Sequence, residues 1–361
     1  MIYLDYQATT PLAPEALRAM LPWLEQGHAN PHSAHRAGRQ ARAAVEVARD
    51  QVAALLPPGG RVVFTSGATE ALNWAIKGVG MDAGKSAGGG IVTTAIEHAA
   101  VLDTAHATGR PLTILPVDSD GLIAPETVRE GTGLVAAMLV NNEIGTVQPV
   151  AALARAAHLA GAWMLCDAVQ GYGRIAIPDD VDLVALSAHK IHGPKGIGAL
   201  WIRDGITLPP LLHGGDQEGG RSGTLSPALC AGFGAAAKLM AARQDADSAH
   251  VAHLWALAIE RLGPGWTING STERRYHGNL NIRRDGLDVA RLMSDCRDIA
   301  FSAGSACASG SGRPSHVLTA LGLTDAQVKS SIRLGFGRCT TEAELTQGID
   351  QLVDAAGAQR R

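Results

Sequence analysis

Seven short apolar runs, at 61–65, 91–94, 112–117, 134–140, 163–167, 183–187 and 197–202, occupy the middle of this chain. Segments with helical spacing separate several of them, at 69–78, 98–108 and 151–160. Strands that alternate with helices predict an α/β architecture, a mostly parallel sheet covered on both faces. Such sheets bind ligands beyond the carboxyl ends of their strands. The residues that directly follow the apolar runs are therefore the first candidates for function.

The flanking regions complete the plan. Residues 1–14 read as an extended arm punctuated by Pro11 and Pro14, and 15–26 as a helix that Pro22 bends or ends. A long helix is expected over 37–56, stopped by Pro57-Pro58-Gly59-Gly60. Residues 226–262 are largely helical and suit a bridge. Past Gly263-Pro264-Gly265 the alternation restarts on a smaller scale, with strands at 266–268, 279–282 and 331–335 and helices at 286–296 and 341–356. The expected division is a large domain over 15–245 and a small α/β domain over 246–361 that includes the arm 1–14.

The chain has 361 residues, 46% hydrophobic and 18% charged, which is a globular composition with room for a large core. A net charge of −3 argues against an electrostatic grip on nucleic acid or an anionic membrane. The first residues lack a basic stretch followed by an apolar one, and no apolar run approaches about 20 residues. A cytoplasmic location is expected. The five cysteines are odd in number and widely spaced, without CxxC, which fits reduced thiols and no zinc site.

Lys190 stands in Ser187-Ala188-His189-Lys190-Ile191-His192-Gly193-Pro194-Lys195-Gly196, between two expected strands. It is either a solvated strand-end lysine or a Schiff-base lysine that holds a carbonyl cofactor. Thr65-Ser66-Gly67-Ala68-Thr69-Glu70 closes a strand and opens a helix, which suits either a helix cap or a phosphate cradle. Asp167, at a strand end, either caps a helix or holds a protonated ring nitrogen, with Gln170 close to a ring substituent. Asn141 and Asn142 either cap a turn or bind polar ligand groups, and His98 either starts a helix or stacks on an aromatic ligand. Arg333, between apolar neighbours, requires a carboxylate, from a substrate or from the protein. Cys307 lies in an Ala/Ser/Gly run that reads as a mobile loop with little apolar packing, so a chemical role explains it better than core packing.

These motifs, in this order, resemble the NifS/IscS cysteine desulfurases: Leu4 to Pro11, Asn30-Pro31-His32-Ser33, Thr65 to Glu70, Glu97-His98, Asn141-Asn142-Glu143-Ile144-Gly145, Ser187 to Gly198, Arg221-Ser222-Gly223-Thr224 and Ser305-Ala306-Cys307. The resemblance covers about residues 2–350. It implies fold type I of the pyridoxal 5′-phosphate enzymes, the aspartate aminotransferase-like fold. It implies a homodimer that takes L-cysteine and passes sulfur to an acceptor protein. By position it implies Lys190 as the Schiff-base lysine, Asp167 at the pyridinium nitrogen, Gln170 at the ring oxygen and His98 stacked on the ring. Ala68, Thr69, Ser187 and His189 would hold the phosphate, joined by Thr224 from the second subunit. Asn142 and Arg333 would bind the substrate carboxylate, and Cys307 would receive the sulfur as a persulfide. Gln7 stands where many relatives carry another small or polar residue, and little is expected of that exchange. The sequence stops at Arg361 without the longer tail of IscS-type members, which leaves the acceptor's identity open. The nearest alternative is a selenocysteine lyase or another pyridoxal phosphate enzyme of the same fold.

Overall fold

The computed structural model describes residues 1–80, 89–124, 128–304 and 314–359. The chain starts with β1 (Ile2–Tyr3), then α1 (Pro14–Glu25) and α2 (Arg36–Ala53). Alternation follows: β2 (Gly60–Thr65), α3 (Ala68–Gly78), β3 (Gly90–Thr94), α4 (Ala99–Ala107), β4 (Leu112–Leu115), β5 (Thr132–Met138), α5 (Val150–Leu159), β6 (Trp163–Asp167), β7 (Leu183–Ser187) and β8 (Gly198–Arg203). The long α6 (Pro227–Leu262) leads to β9 (Thr267–Ile268), β10 (Asn279–Arg283), α7 (Val289–Asp295), β11 (Ile299–Ala300) and β12 (Ser302–Ala303). The chain closes with α8 (His316–Ala320), α9 (Asp325–Lys329), β13 (Ser331–Gly335) and α10 (Glu342–Ala358). Pro22 does not break α1: the helix continues to Glu25, and the Pro22 carbonyl accepts from both Gln26 and Gly27.

The central sheet has seven strands in the order β2-β8-β7-β6-β5-β3-β4. Only β8 runs against the others, antiparallel to both β7 and β2. The mostly parallel sheet expected from the alternation is present. Its two faces carry separate apolar cores. One packs Leu72, Trp74 and Ile76 of α3 and Val101 of α4 against Val63, Ile91 and Leu200. The other packs Val45 and Val52 of α2, Leu153 of α5 and Phe233 of α6 against Phe64, Val135 and Val184. Burial on both faces explains why these strands read as continuous apolar runs.

α6 spans 36 residues, about 54 Å at the usual helical rise. Its first half, with Phe233 and Met240, packs on the large sheet. Its second half, with Val251, Leu254 and Ala258, packs in a third core with β10, β13 and α10. The arm returns to that same core through Ile2 and Leu4, and β1 pairs with β11. It then crosses to the large sheet, where Thr10 and Ala13 donate to the carbonyls of His189 and His192. Residues 5–9 are thus strung between a large unit, built on the seven-stranded sheet, and a small unit, built on the third core.

Candidate active site

The carboxyl ends of β2, β5, β6 and β7 open onto one cavity of about 670 Å³. Ala68 and Thr69, in the first turn of α3, line it with Ser66 and Gly67. The first N–H groups of a helix lack intrahelical acceptors and carry partial positive charge, so this wall suits an anion. The β2–α3 turn sits close against β8, and a Cβ on Gly198 would come within 2.6 Å of the Gly67 backbone carbon. Glycine is therefore required at 198. Glu70 is more than a helix-start acid: it accepts from Ser66 N–H at 2.7 Å and pairs with Arg221 at 2.8 Å. That pair ties the Arg221-Ser222-Gly223-Thr224 loop to the cradle. Thr224 itself is exposed and outside the lining of the cavity in its own chain.

Ser187, His189 and Lys190 line the cavity from the end of β7 and the 3-10 turn Ala188–Lys190. Lys190 Nζ donates to the Gln7 and Ala8 carbonyls, at 2.5 and 2.8 Å. The Gln7 carbonyl also accepts from Gln170 Nε2 at 3.0 Å, and the Gln7 amide donates to the Gly278 carbonyl at 2.8 Å. Gln7 therefore sits at the centre of the site, although little was expected of it. Its backbone carbonyl meets Lys190 and Gln170, a contact no side-chain pattern advertises, and its side-chain amide anchors it to Gly278. Lys195 also lines the cavity, from an exposed position. His189 is held by Thr9 Oγ1 at 3.1 Å, and burial beside Lys190 and Lys195 lowers its pKa to about 4.

Asp167 is buried at the end of β6, and its Oδ1 accepts from Val169 N–H at 3.0 Å. Burial raises its pKa; that hydrogen bond and the charges of His98 and Lys190 oppose the rise. His98 is the N-cap of α4: its Nδ1 accepts from Ala100 N–H at 3.1 Å. A neutral ring with Nδ1 as acceptor carries its proton on Nε2. Burial lowers the His98 pKa and so favours this neutral form. Below it, Glu97 is fully buried, with Oε1 accepting from Thr94 Oγ1 at 2.6 Å and Met138 N–H at 3.0 Å. Its other oxygen has no partner among the described residues, and burial pushes its carboxyl up to about 8.

The opposite wall comes from the small unit. Arg333, on β13, is 1% exposed and pairs with Asp5 of the arm at 2.8 Å. It also donates to the Asn142 carbonyl at 3.1 Å and to Ser302 Oγ at 3.2 Å. The carboxylate it requires is thus supplied within the chain by Asp5, while Nε has no partner among the described residues. The two amides divide their work. Asn141 closes a turn, with Oδ1 accepting from Glu143 and Ile144, and Asn142 lines the cavity.

Cys307 lies outside the described residues, but the segments on either side of its run are held. Gly304 N–H donates to Ser331 at 2.8 Å. Ser315 donates to Glu143 Oε2 at 2.5 Å, and His316 Nε2 donates to the Glu97 carbonyl at 2.8 Å. Sequence reasoning missed Glu143, Ser315 and His316, because their partners are more than 170 residues away. No cluster of metal-ligating side chains is present among the described residues.

The aminotransferase class-V family model matches residues 2–347. The chain is 41% identical to the cysteine desulfurase IscS of Rickettsia akari, over all of this chain and 92% of the relative. It is 43% identical to the mitochondrial cysteine desulfurase of Saccharomyces cerevisiae, over 98% of this chain and 74% of the relative. Among solved structures, a NifS-like protein superposes with a TM-score of 0.90 at 31% identity, covering 99% of each chain. SspA in complex with cysteine superposes with 0.82 at 35% identity, covering 93% of this chain and 99% of that one. The chain belongs to the aminotransferase class-V family and has its fold type I architecture. It is a pyridoxal phosphate-dependent enzyme. The cavity suits that cofactor on its own chemistry: an anion cradle on α3, an amine at Lys190 and a buried carboxyl at Asp167 line one space.

Proposed function

We propose that Lys190, Asp167, His98 and Cys307 carry the reaction of this enzyme. The enzyme is a cysteine desulfurase, and the selenocysteine lyase alternative is not favoured by its relatives. The observation that supports the assignment is that Lys190, Asp167, His98 and the first turn of α3 line the same cavity.

Pyridoxal phosphate, when bound, withdraws electrons from the substrate Cα and makes its proton acidic. Ala68, Thr69, Ser187 and His189 would hold the phosphate, joined by Thr224 of the second subunit in a homodimer. Asp167 would hold a proton at the ring nitrogen, and Gln170 would meet the ring oxygen. His98 would stack on the ring, with its cap bond to Ala100 leaving Nε2 as the donor. Lys190 Nζ takes the Cα proton and returns it in the product. Arg333 and Asn142 orient the substrate carboxylate, with Asp5 holding Arg333 in place. The Cys307 thiolate attacks the substrate Sγ and breaks the Cβ–Sγ bond. The products are L-alanine and a Cys307 persulfide, so L-cysteine plus the enzyme thiol balances alanine plus persulfide. An acceptor protein then takes the outer sulfur, for iron–sulfur clusters or thiolation. No helix among the described residues is long and apolar enough to cross a membrane, and we place the enzyme in the cytoplasm.

Borohydride reduction followed by peptide mapping tests the lysine. Label is expected on Lys190, and label on Lys195 would overturn the assignment. Alkylation after a pulse of L-cysteine is expected to show one additional sulfur on Cys307, absent in Cys307→Ser. Extra sulfur on Cys339, the exposed thiol among the described residues, would instead reject Cys307.

A further inference from the structure

We propose that the joint between the two units carries a second binding site, for a small oxyanion or carboxylate. The site is a cavity of about 90 Å³ on the far side of the arm, lined from the large sheet, from α6 and from the small unit. A water needs about 10–15 Å³, so the space admits an anion of a few heavy atoms.

Its charge is unbalanced. Arg174, Arg275 and Arg338 line the cavity against a single acid, Asp247. Asp247 is already engaged twice, by Arg338 and by Arg243. Arg275 is 6% exposed and lies over the Trp255 ring at 4.1 Å. Among the described residues its side chain donates to carbonyls alone, those of Ser271, Ile144 and Asn279. No carboxylate pairs with it among the described residues, and burial lowers its pKa to about 9. Two buried nitrogens of these arginines, Arg275 Nε and Arg338 Nη1, have no hydrogen-bond partner among the described residues. Buried cations are usually paired. An oxygen anion in the cavity supplies the missing charge and meets the guanidinium groups that face it.

The third arginine links this cavity to the first. Arg174 donates to the Lys190 carbonyl at 2.5 Å and the Gln170 carbonyl at 3.1 Å, and its guanidinium lies over the Tyr276 ring at 5.0 Å. An anion here therefore braces the segment that carries Lys190 against the small unit.

The test uses the full chain saturated with its cofactor, so that the phosphate cradle is filled. Sulfate and succinate are titrated separately by calorimetry at constant ionic strength, with chloride as the balancing ion. Saturable binding is expected with at least one, and the two arms distinguish an inorganic oxyanion from a carboxylate. Gln244→Glu places a fixed carboxylate on an exposed turn of α6 at the cavity and is expected to weaken binding at least tenfold. Arg338→Gln is expected to do the same. No saturable binding in wild type, as when a side chain of a second subunit fills the cavity, overturns the proposal. So does binding that Gln244→Glu leaves unchanged, since the anion then sits elsewhere.

Discussion

Asp167 and Ser187 stand at the ends of adjacent central strands, where β5, β6, β7 and β8 hold them in register. Arg333 and Gln7 face the same cavity but owe their positions to contacts made by the arm and across the cavity: Arg333 to Asp5 and to the Asn142 carbonyl, Gln7 to Gly278. The first wall is set by the ladder of one sheet. The second is made where the arm docks against β13 and Gly278. One wall suits a resident cofactor, and the other suits a substrate that must enter and leave.

The largest effect is expected on the sheet-built wall. Lys190→Ala should lower turnover at least about a thousandfold, because in the proposed mechanism this lysine is both the attachment point and the proton carrier. Steady-state alanine production measures this, and turnover within tenfold of wild type would remove Lys190 from the mechanism. Asp167→Asn should cost about a hundredfold or more in kcat with the fold intact, since in the proposed mechanism the carboxyl that holds the ring-nitrogen proton is lost while the shape remains. A melting curve beside the kinetics separates that outcome from simple misfolding.

The docked wall should respond differently. Asp5→Asn leaves Arg333 buried without its acid, and breaking such a pair costs about 3–5 kcal/mol. Some of that loss should appear as a KM raised about tenfold with a smaller change in kcat. A lowered kcat with unchanged KM would place Arg333 outside substrate binding. Ser315→Ala removes the bond to Glu143 next to the Cys307 run. Persulfide formation should slow several-fold while cofactor binding, followed by absorbance, stays at the wild-type level.

The last effect is on stability and not on turnover, and it concerns pH. Glu97 has a native pKa of about 8, above the ordinary carboxylate value. The unfolded chain therefore loses this proton first as pH rises, and stability falls from about pH 4.5 to about 8, by at most about 1.4 kcal/mol per unit. Glu97→Gln should flatten that slope in denaturant titrations. His189 and His192 act in the other direction. Both have native pKa values lowered to about 4, so their contribution is lost as pH falls from about 6.5 towards 4. A Glu97→Gln slope equal to wild type would mean that Glu97 is ionised in the native state.

Much of the sheet-built wall was legible in the chain. Strand-length apolar runs announced β2, β6 and β7, and Thr65, Asp167 and Ser187 are their last residues. The local alternatives posed at Asn141 and His98 needed coordinates. Asn141 proved to be a turn cap, and His98 both caps α4 and faces the cavity. Pro22 shows the limit of a local rule, since tertiary packing of α1 carries the helix three residues past it.

By itself the sequence determined the alternation of strands and helices, the strand ends that open onto the cavity, and the short motifs that line it. These follow from periodicity and from side-chain type, which act within a few residues along the chain. Tertiary structure decided that Arg333 pairs with Asp5, that Gln7 is placed by Gly278, that Ser315 and His316 reach Glu143 and Glu97, and that three arginines and one acid line one cavity. Those partners are separated by up to 328 residues. The charge or hydrogen bond each one lacks is visible in the sequence, but only packing of the arm and the small unit against the sheet determines what supplies it.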